Sequence, residues 1–383
     1  MIPREKKIKL QGRKRINSRK RIAALFFVII MTVLTLRGKI ARAQQQQSKG
    51  NRVVLTLSYG PGNPRNSEGD FVTLKTGRIL FIYTHFTNGS GDDSKAYLAS
   101  RYSDDGGRTW SDHDEIVVKR KNDDNVMSVS LLRLKNGQIA LFYVRKNSRA
   151  DCIPVMRISA DEAKTWGQPV PCITDRQGYF VLNNNRVIQL PNGRMLMPVA
   201  QHNWPGGRFT WTARLYAYYS DDEGKTWHSS DQVPNPDSVI TQEPGIVVLK
   251  DGRLLMYIRT NAHVQYYAYS SDRGQHWTAA RPSTISSPLA PASMAKMPDQ
   301  NGLLLAWNDN GKTAKRTPLN TAISTDMGKT WLRERVVASD PNVNYCYSAI
   351  HFVGKYVLLG YAVTHPQGIT IVVRRISLHW LHH

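Results

Sequence analysis

A five-position pattern, Ser-x-Asp-x-Gly-x-Thr-Trp, recurs along this 383-residue chain and limits its possible folds more than any other feature. It is complete at Ser103, Asp105, Gly107, Thr109 and Trp110, at Ser220, Asp222, Gly224, Thr226 and Trp227, and at Ser324, Asp326, Gly328, Thr330 and Trp331. Two looser copies carry Ser159, Asp161, Thr165 and Trp166 with Ala163 in the glycine place, and Ser270, Asp272, Gly274 and Trp277 with His276 in the threonine place. The five tryptophans are separated by 56, 61, 50 and 54 residues. Self-similarity at so regular a spacing marks a chain assembled from one supersecondary unit, repeated and stacked.

The unit is a small antiparallel sheet. A short alternating run precedes each copy, such as Ala96-Tyr97-Leu98-Ala99-Ser100-Arg101-Tyr102, and farther upstream Asn136-Gly137, Asn192-Gly193 or Asp251-Gly252 opens onto an apolar run. Asn-Gly and Asp-Gly between apolar runs are hairpin signals, and after residue 50 no stretch keeps a helical period for three turns. Sheets of about four strands cannot bury their faces alone, and stacking them around an axis covers both faces and shortens exposed edges. The expected fold is therefore all-β, a six-bladed β-propeller. Five units hold the pattern, and the sixth combines Tyr356 to Tyr361 and Ile369 to Leu378 with the N-terminal strand Arg52 to Leu57.

The formal charge of +23 suggests nucleic acid, but residues 1–43 carry 13 Lys or Arg against one Glu and so hold +12 of it. The remaining +11 is spread over a chain with no basic run interleaved with aromatics, which argues against nucleic-acid binding. Residues 1–43 read as a signal peptide: basic from Arg4 to Arg21, apolar from Ile22 to Leu36, with Ala41-Arg42-Ala43 as a cleavage site. That fifteen-residue run, broken only by Thr32 and Thr35, falls short of the ~20 of a spanning helix, so a secreted or periplasmic protein without a membrane span after cleavage is expected, the alternative being an uncleaved signal anchor. Residues 44–50 form a polar linker and 51–383 the propeller. In that oxidising setting Cys152 and Cys172, each beside a strand-like run, are expected to bridge neighbouring strands, with Cys346 left over; the alternative is three small buried side chains.

The repeated pattern resembles the Asp-box of sialidases and related propellers, a turn between the third and fourth strands of a blade. In such a turn the Asp and Ser side chains bond the turn's own backbone, Gly takes a conformation other residues resist, and Trp tucks beneath. Five equivalent turns on a periphery cannot converge on one substrate, so the box aspartates are read as structural. Residues that break the blade pattern carry a second likeness. Glu243 precedes Pro244 and a strand, Arg259 ends the next strand sixteen residues on, Arg316 stands eight residues before the last box, and Tyr347-Ser348 follows that box's Trp by sixteen.

This set, over about residues 51–378, resembles the sialidase active site. The resemblance implies Tyr347 as nucleophile, Glu243 as its base, and Arg259 and Arg316 as two of three arginines clamping the substrate carboxylate. Arg65 is the arginine available as the third, although the family's Phe-or-Tyr-Arg-Ile-Pro motif is absent and Arg65 lies two residues farther from Gly77 than the family places it. Asp92, eleven residues before the first box serine, matches the loop of the family's acid, with Asp93 one place away. A neutral Tyr suits a sugar whose anomeric carbon bears a carboxylate, because a carboxylate nucleophile would be repelled, and Arg forks pair with carboxylates as Lys cannot. Arg186, His202 and Trp204 fall on expected turns at blade ends, either lining the outer part of the sugar pocket or standing on the surface.

The implied function is an exo-acting, retaining glycoside hydrolase of sialidase type. It would remove terminal sialic acid or a related acidic sugar from a glycan, with no cofactor and no metal; the sequence holds no His-Glu-x-x-His and no Cys-x-x-Cys. The alternatives are a glycan-binding Asp-box propeller without catalysis, and a hydrolase or lyase of uronic-acid linkages on the same fold. His379, His382 and His383 are expected to fray at the chain end.

Overall fold

A computed structural model describes residues 50–119, 125–299 and 302–383. The expected signal peptide, and the linker as far as residue 49, lie outside the described residues. Strands dominate and group in chain order. The first group holds β2 (Arg65–Thr73), β3 (Ile79–Asn88), β4 (Lys95–Ser103) and β5 (Glu115–Val118), preceded by β1 (Asn51–Leu57). The second holds β6 (Asn125–Arg133), β7 (Ile139–Lys146), β8 (Asp151–Ser159) and β9 (Val170–Pro171). The third has an interrupted inner edge, β10 (Gly178–Val181) and β11 (Ile188–Gln189), followed by β12 (Met195–Asn203), β13 (Arg214–Ser220) and β14 (His228–Ser229). The fourth holds β15 (Thr241–Val248), β16 (Leu254–Thr260), β17 (Val264–Ser270) and β18 (Arg281–Ser286). The fifth holds β19 (Ser293–Lys296), β20 (Leu303–Asn308), β21 (Leu319–Ser324) and β22 (Leu332–Ala338), and the last β23 (Asn344–Val353), β24 (Tyr356–His365) and β25 (Gly368–Ser377).

Within each group successive strands pair antiparallel. β1 does not join β2; it runs antiparallel to β25, from Asn51 opposite Ile376 to Leu57 opposite Ile371. The apolar clusters lie between consecutive groups, for instance Leu196, Leu215 and Ala217 of the third against Leu254, Met256 and Ile258 of the fourth. Another joins Leu358, Ile371 and Val373 of the last group to Phe71, Phe81 and Tyr83 of the first. Alternation along each strand thus serves two interfaces at once, one per face.

All five boxes occupy the turn after a group's third strand, as their common sequence requires. In the first, Ser103 Oγ donates to Asp105 Oδ1 at 2.9 Å, the Gly107 N–H donates to Ser103 Oγ at 2.9 Å, and Thr109 donates through N to Oδ1 at 2.9 Å and through Oγ1 to Oδ2 at 2.7 Å. Gly107 takes φ +78, whereas Ala163 holds the same turn at φ +64 against its own Cβ. Where His276 replaces Thr, its Nδ1 reaches Asp272 Oδ2 at 2.5 Å. Asp105→Ala is therefore expected to lower stability by roughly 1–3 kcal/mol, the cost of stranding the turn's donors, while the remaining folded protein keeps its site. Chemical denaturation alongside a ligand-binding or turnover assay checks both halves.

Two expectations are corrected. Cys152, Cys172 and Cys346 are free, buried thiols. The Cys172 N–H donates to Pro154 O and Pro171 stands opposite Val155, so Cys172 meets β8 two residues away from Cys152, out of register for a bridge. The chain end does not fray: α1 (Leu378–His382) is capped by Ser377, whose Oγ accepts from the Trp380 N–H at 3.1 Å, and buries Trp380 and Leu381. Among the described residues no helix is long and apolar enough to cross a membrane.

Candidate active site

Four of the six first strands break their register at the same place, between Ser67 and Asp70, Met127 and Ser130, Gln242 and Gly245, and Cys346 and Ala349. At each break one residue other than glycine adopts left-handed backbone: Glu68 (φ 54), Ser128 (φ 62), Glu243 (φ 41) and Tyr347 (φ 58). A bulge leaves a residue unpaired and re-aims its side chain. Such a conformation costs ~1–3 kcal/mol per residue and persists only where the surroundings impose it. All four residues line one pocket, together with Asp92, Lys146, Tyr179 and Asn183. The strain is used to turn four polar side chains, from four different groups, toward a common space.

The candidate residues meet there. Tyr347 Oη donates to Glu243 Oε1 at 3.5 Å, and Glu243 Oε2 accepts from Arg259 Nη1 at 2.5 Å. Arg65 bridges two acids, Nη1 to Asp92 Oδ1 at 2.6 Å and Nη2 to Glu68 Oε1 at 3.2 Å, and its guanidinium lies 4.3 Å from the Phe86 ring centre. Arg316 Nη1 contacts Cys346 Sγ at 3.0 Å, next to Tyr347 in the chain. Asp93 pairs with Lys146 at 2.7 Å, so the two adjacent aspartates have different cationic partners. Both are open to solvent, 61% for Asp92 and 69% for Asp93, whereas Arg65 and Lys146 are about 5% exposed or less. Asp92 precedes β4 and the first box follows it, so the cavity and that box stand at opposite ends of a nine-residue strand, some ~30 Å apart.

Burial and neighbours set the charges. Burial, with Glu243 second, raises the Tyr347 phenol well above its ordinary value, so the resting side chain is neutral. For Asp92, partial desolvation on its cavity side would raise the pKa although its outer side faces solvent, but Arg65, then Lys146 and Arg259, override it and hold the carboxyl below the usual range. Arg316 is raised first by the Cys346 thiol and then by Tyr347 and Glu243. Burial pushes Glu68 up to about 7 despite Arg65, with Asp92 and Glu243 adding to the rise and Ser128 Oγ donating at 2.6 Å to Glu68 Oε2.

Because Glu68 binds its proton more tightly folded than unfolded, its contribution favours the fold below the ordinary carboxyl range and is lost as pH rises toward 7. Unfolding free energy is thus expected to fall by roughly 1–3 kcal/mol between pH 4.5 and 7.5 on account of this group. Glu68→Gln should flatten that decline in urea titrations; an unchanged slope would contradict it.

Sequence reasoning missed Glu68, Ser128 and Lys146, and also the buried segment that ties the cavity floor together. Between β10 and β11, Asn184 Nδ2 donates to Gly69 O at 2.9 Å and to Tyr347 O at 3.2 Å. Asn185 Nδ2 donates to Asp70 Oδ1 at 2.7 Å while its Oδ1 accepts from the Ile350 N–H at 3.1 Å. Arg186 is correspondingly no surface residue. It is buried, with Nη1 donating to Tyr257 Oη at 2.9 Å and Nη2 to Ala292 O at 2.7 Å. His202 is buried too, at the end of β12, and Trp204 is half-buried beneath the Arg214 guanidinium, 3.8 Å from its ring centre. A polar run, Asn183 to Arg186, in the middle of an otherwise strand-forming stretch was the available signal.

Residues 97–358 match the BNR repeat-like domain family. A sialidase of Bacteroides fragilis is 26% identical over 215 residues, 52% of this chain and 37% of that protein. The chain spans between about a third and three-fifths of the length of the curated relatives it matches, 37%, 48% and 59%. Among solved structures, a protein of unknown function from Dyadobacter fermentans superposes with a TM-score of 0.67 at 20% identity, over 85% of this chain and 99% of that one. Trypanosoma rangeli sialidase, in complex with 2,3-difluorosialic acid as a covalent intermediate, gives a TM-score of 0.67 at 18% identity over 87% of this chain and 60% of that one. At these identities the structural likeness is one of fold.

Proposed function

The chain belongs to the sialidase and BNR-repeat family, and on that premise we propose that it is an exo-acting, retaining glycoside hydrolase that removes a terminal sialic acid or related acidic sugar from a glycan. Its six antiparallel groups are then the blades of a closed six-bladed propeller over 51–383, the last blade shared between β1 and β23–β25. In this reading residues 1–43 are a signal peptide, 44–50 a linker, and the site works outside the cytoplasm. The observation that carries the reading is Tyr347 Oη, 3.5 Å from the Glu243 carboxylate, in a cavity whose lining acids Glu243, Asp92 and Glu68 are held from behind by Arg259 and Arg65, with Arg316 on Cys346 beside Tyr347.

The resting pairs exchange partners when an anion arrives. A substrate carboxylate engaging Arg65, Arg259 and Arg316 weakens the hold of Arg259 on Glu243 and of Arg65 on Asp92. Glu243 then becomes a better base toward the phenol, and Asp92, losing its counter-charge, takes up the proton an acid needs. Tyr347 Oη attacks the anomeric carbon as its proton passes to Glu243. The glycosidic C–O bond breaks as Asp92 protonates the leaving oxygen. Water, deprotonated by Asp92, next attacks the same carbon; the bond to Tyr347 breaks and the phenol recovers its proton from Glu243. Turnover of wild type and Tyr347→Phe on a panel of fluorogenic acidic glycosides tests this. Activity that survives the substitution would favour another chemistry, and no turnover by wild type on any of them would favour a glycan-binding propeller.

A further inference from the structure

We propose that Trp211, Phe209 and Tyr179 form a stacking site for the sugar ring that follows the acidic one in the glycan, a second subsite adjoining the cavity. The proposal rests on the glycosidase reading above. The segment 204–213 joins β12 to β13 at the end of the group where the cavity opens, and it is the least strand-like part of the third group's rim. Tyr179 lines the cavity, with Lys146 Nζ 5.1 Å from its ring centre. Phe209 meets Tyr179 edge-on at 5.6 Å and lies parallel to His202 at 5.5 Å. Trp211 meets Phe209 edge-on at 5.4 Å and is 66% exposed. The rings run in single file from the cavity wall into solvent, and the outermost gives the fold one edge contact.

The row is held rigidly. The Thr210 N–H donates to His202 O at 2.9 Å, Thr210 O sits 2.8 Å from His202 Nδ1, and Asn203 Nδ2 donates to Arg149 O at 2.9 Å, tying the segment to the neighbouring group. Trp211 O accepts from Gln242 Nε2 at 3.1 Å, one residue from Glu243. His202, whose pKa burial lowers, also senses the charges of Glu243 and Arg259, which puts this wall beside the catalytic pair as well as beside Tyr179. An exposed indole set on a rigid loop offers a large flat face at little entropic cost, and the C–H face of a pyranose is its apolar complement. The Arg149 guanidinium, 5.4 Å from the Phe209 ring centre, supplies hydrogen-bond donors for hydroxyls at the edge. A file one ring wide presents far less than the ~800 Å² per partner of a stable protein interface, and its continuity with the cavity is what a glycan chain needs.

The test compares wild type with Trp211→Ala on two substrates that share one acidic sugar, sialic acid joined to a methyl group and sialic acid joined to lactose. Loss of the indole face is expected to raise KM for the lactose-linked substrate about threefold to tenfold and to leave the methyl glycoside, which has no ring to stack, unchanged. Trp211→Phe should restore part of the difference. An equal effect on both substrates, or on neither, overturns the proposal. If wild type turns over neither, the glycosidase reading fails on its own, and the subsite is judged by titrating lactose against tryptophan fluorescence. Quenching lost in Trp211→Ala supports it; no quenching in wild type, or quenching unchanged in the variant, overturns it.

Discussion

Tyr347→Phe is expected to lower kcat on acidic aryl glycosides by roughly a thousandfold or more, the scale of losing a nucleophile, while the melting temperature barely moves. The substitution keeps the ring and removes only Oη, whose bond to Glu243 is long at 3.5 Å. The contact that ties this residue into the floor, Asn184 Nδ2 to Tyr347 O, uses the main chain and survives the change. The left-handed backbone at 347 is equally available to Phe. Steady-state kinetics beside thermal unfolding separates the two effects. Equal activity of variant and wild type on every acidic glycoside would remove Tyr347 from the chemistry.

Arg259→Lys should be nearly as severe, lowering kcat/KM by about 2–5 kcal/mol, or roughly thirtyfold to several thousandfold. Arg259, 11% exposed, stands near the end of β16; its Nη1 is committed to Glu243 at 2.5 Å, and its Nε is buried without a partner. A planar fork can hold Glu243 with one edge and present further N–H groups to a ligand carboxylate. An ammonium is a point charge and has to choose. The loss is expected in KM as well as kcat, since ground-state binding of the carboxylate is weakened too, and a variant with wild-type KM would argue that no carboxylate binds at Arg259.

The strands and their turns were legible because their signals are local. Asn192-Gly193 or Ser220-x-Asp222 states its own geometry through side chains a few residues apart. The pairing of Arg52 to Leu57 with the chain's last strand was legible by elimination, as the last unit was otherwise incomplete. The meeting of Tyr347 with Glu243 and of Arg65 with Asp92 followed from likeness to a family rather than from periodicity.

Glu68 and Ser128 stayed hidden for a physical reason. In an alternating strand a residue's face is set by parity, and a bulge shifts parity by one, so each appeared to be an ordinary strand position. A polar side chain interrupting an apolar run, as Ser128 does in Val126-Met127-Ser128-Val129, was the visible trace. Arg186 was misplaced because a turn was assumed where the chain instead dives through the middle. The cysteine bridge failed on register, which twenty residues of spacing do not encode.

The pairing of β1 with β25 also dictates a timetable. Asn51 Oδ1 accepts from Arg374 Nη1, a contact 323 residues apart in the chain. Among the described strands β1 is made before all others and must wait for β25, and contacts of such separation are slow to form. Until then β25 shows an unpaired edge rich in Ile and Val, Ile369 to Ile376, the kind of surface on which nascent chains pair with one another. Completing this sheet thus takes an encounter between strands far apart in the chain, and damage to Asn51–Leu57 is expected to lower folding yield.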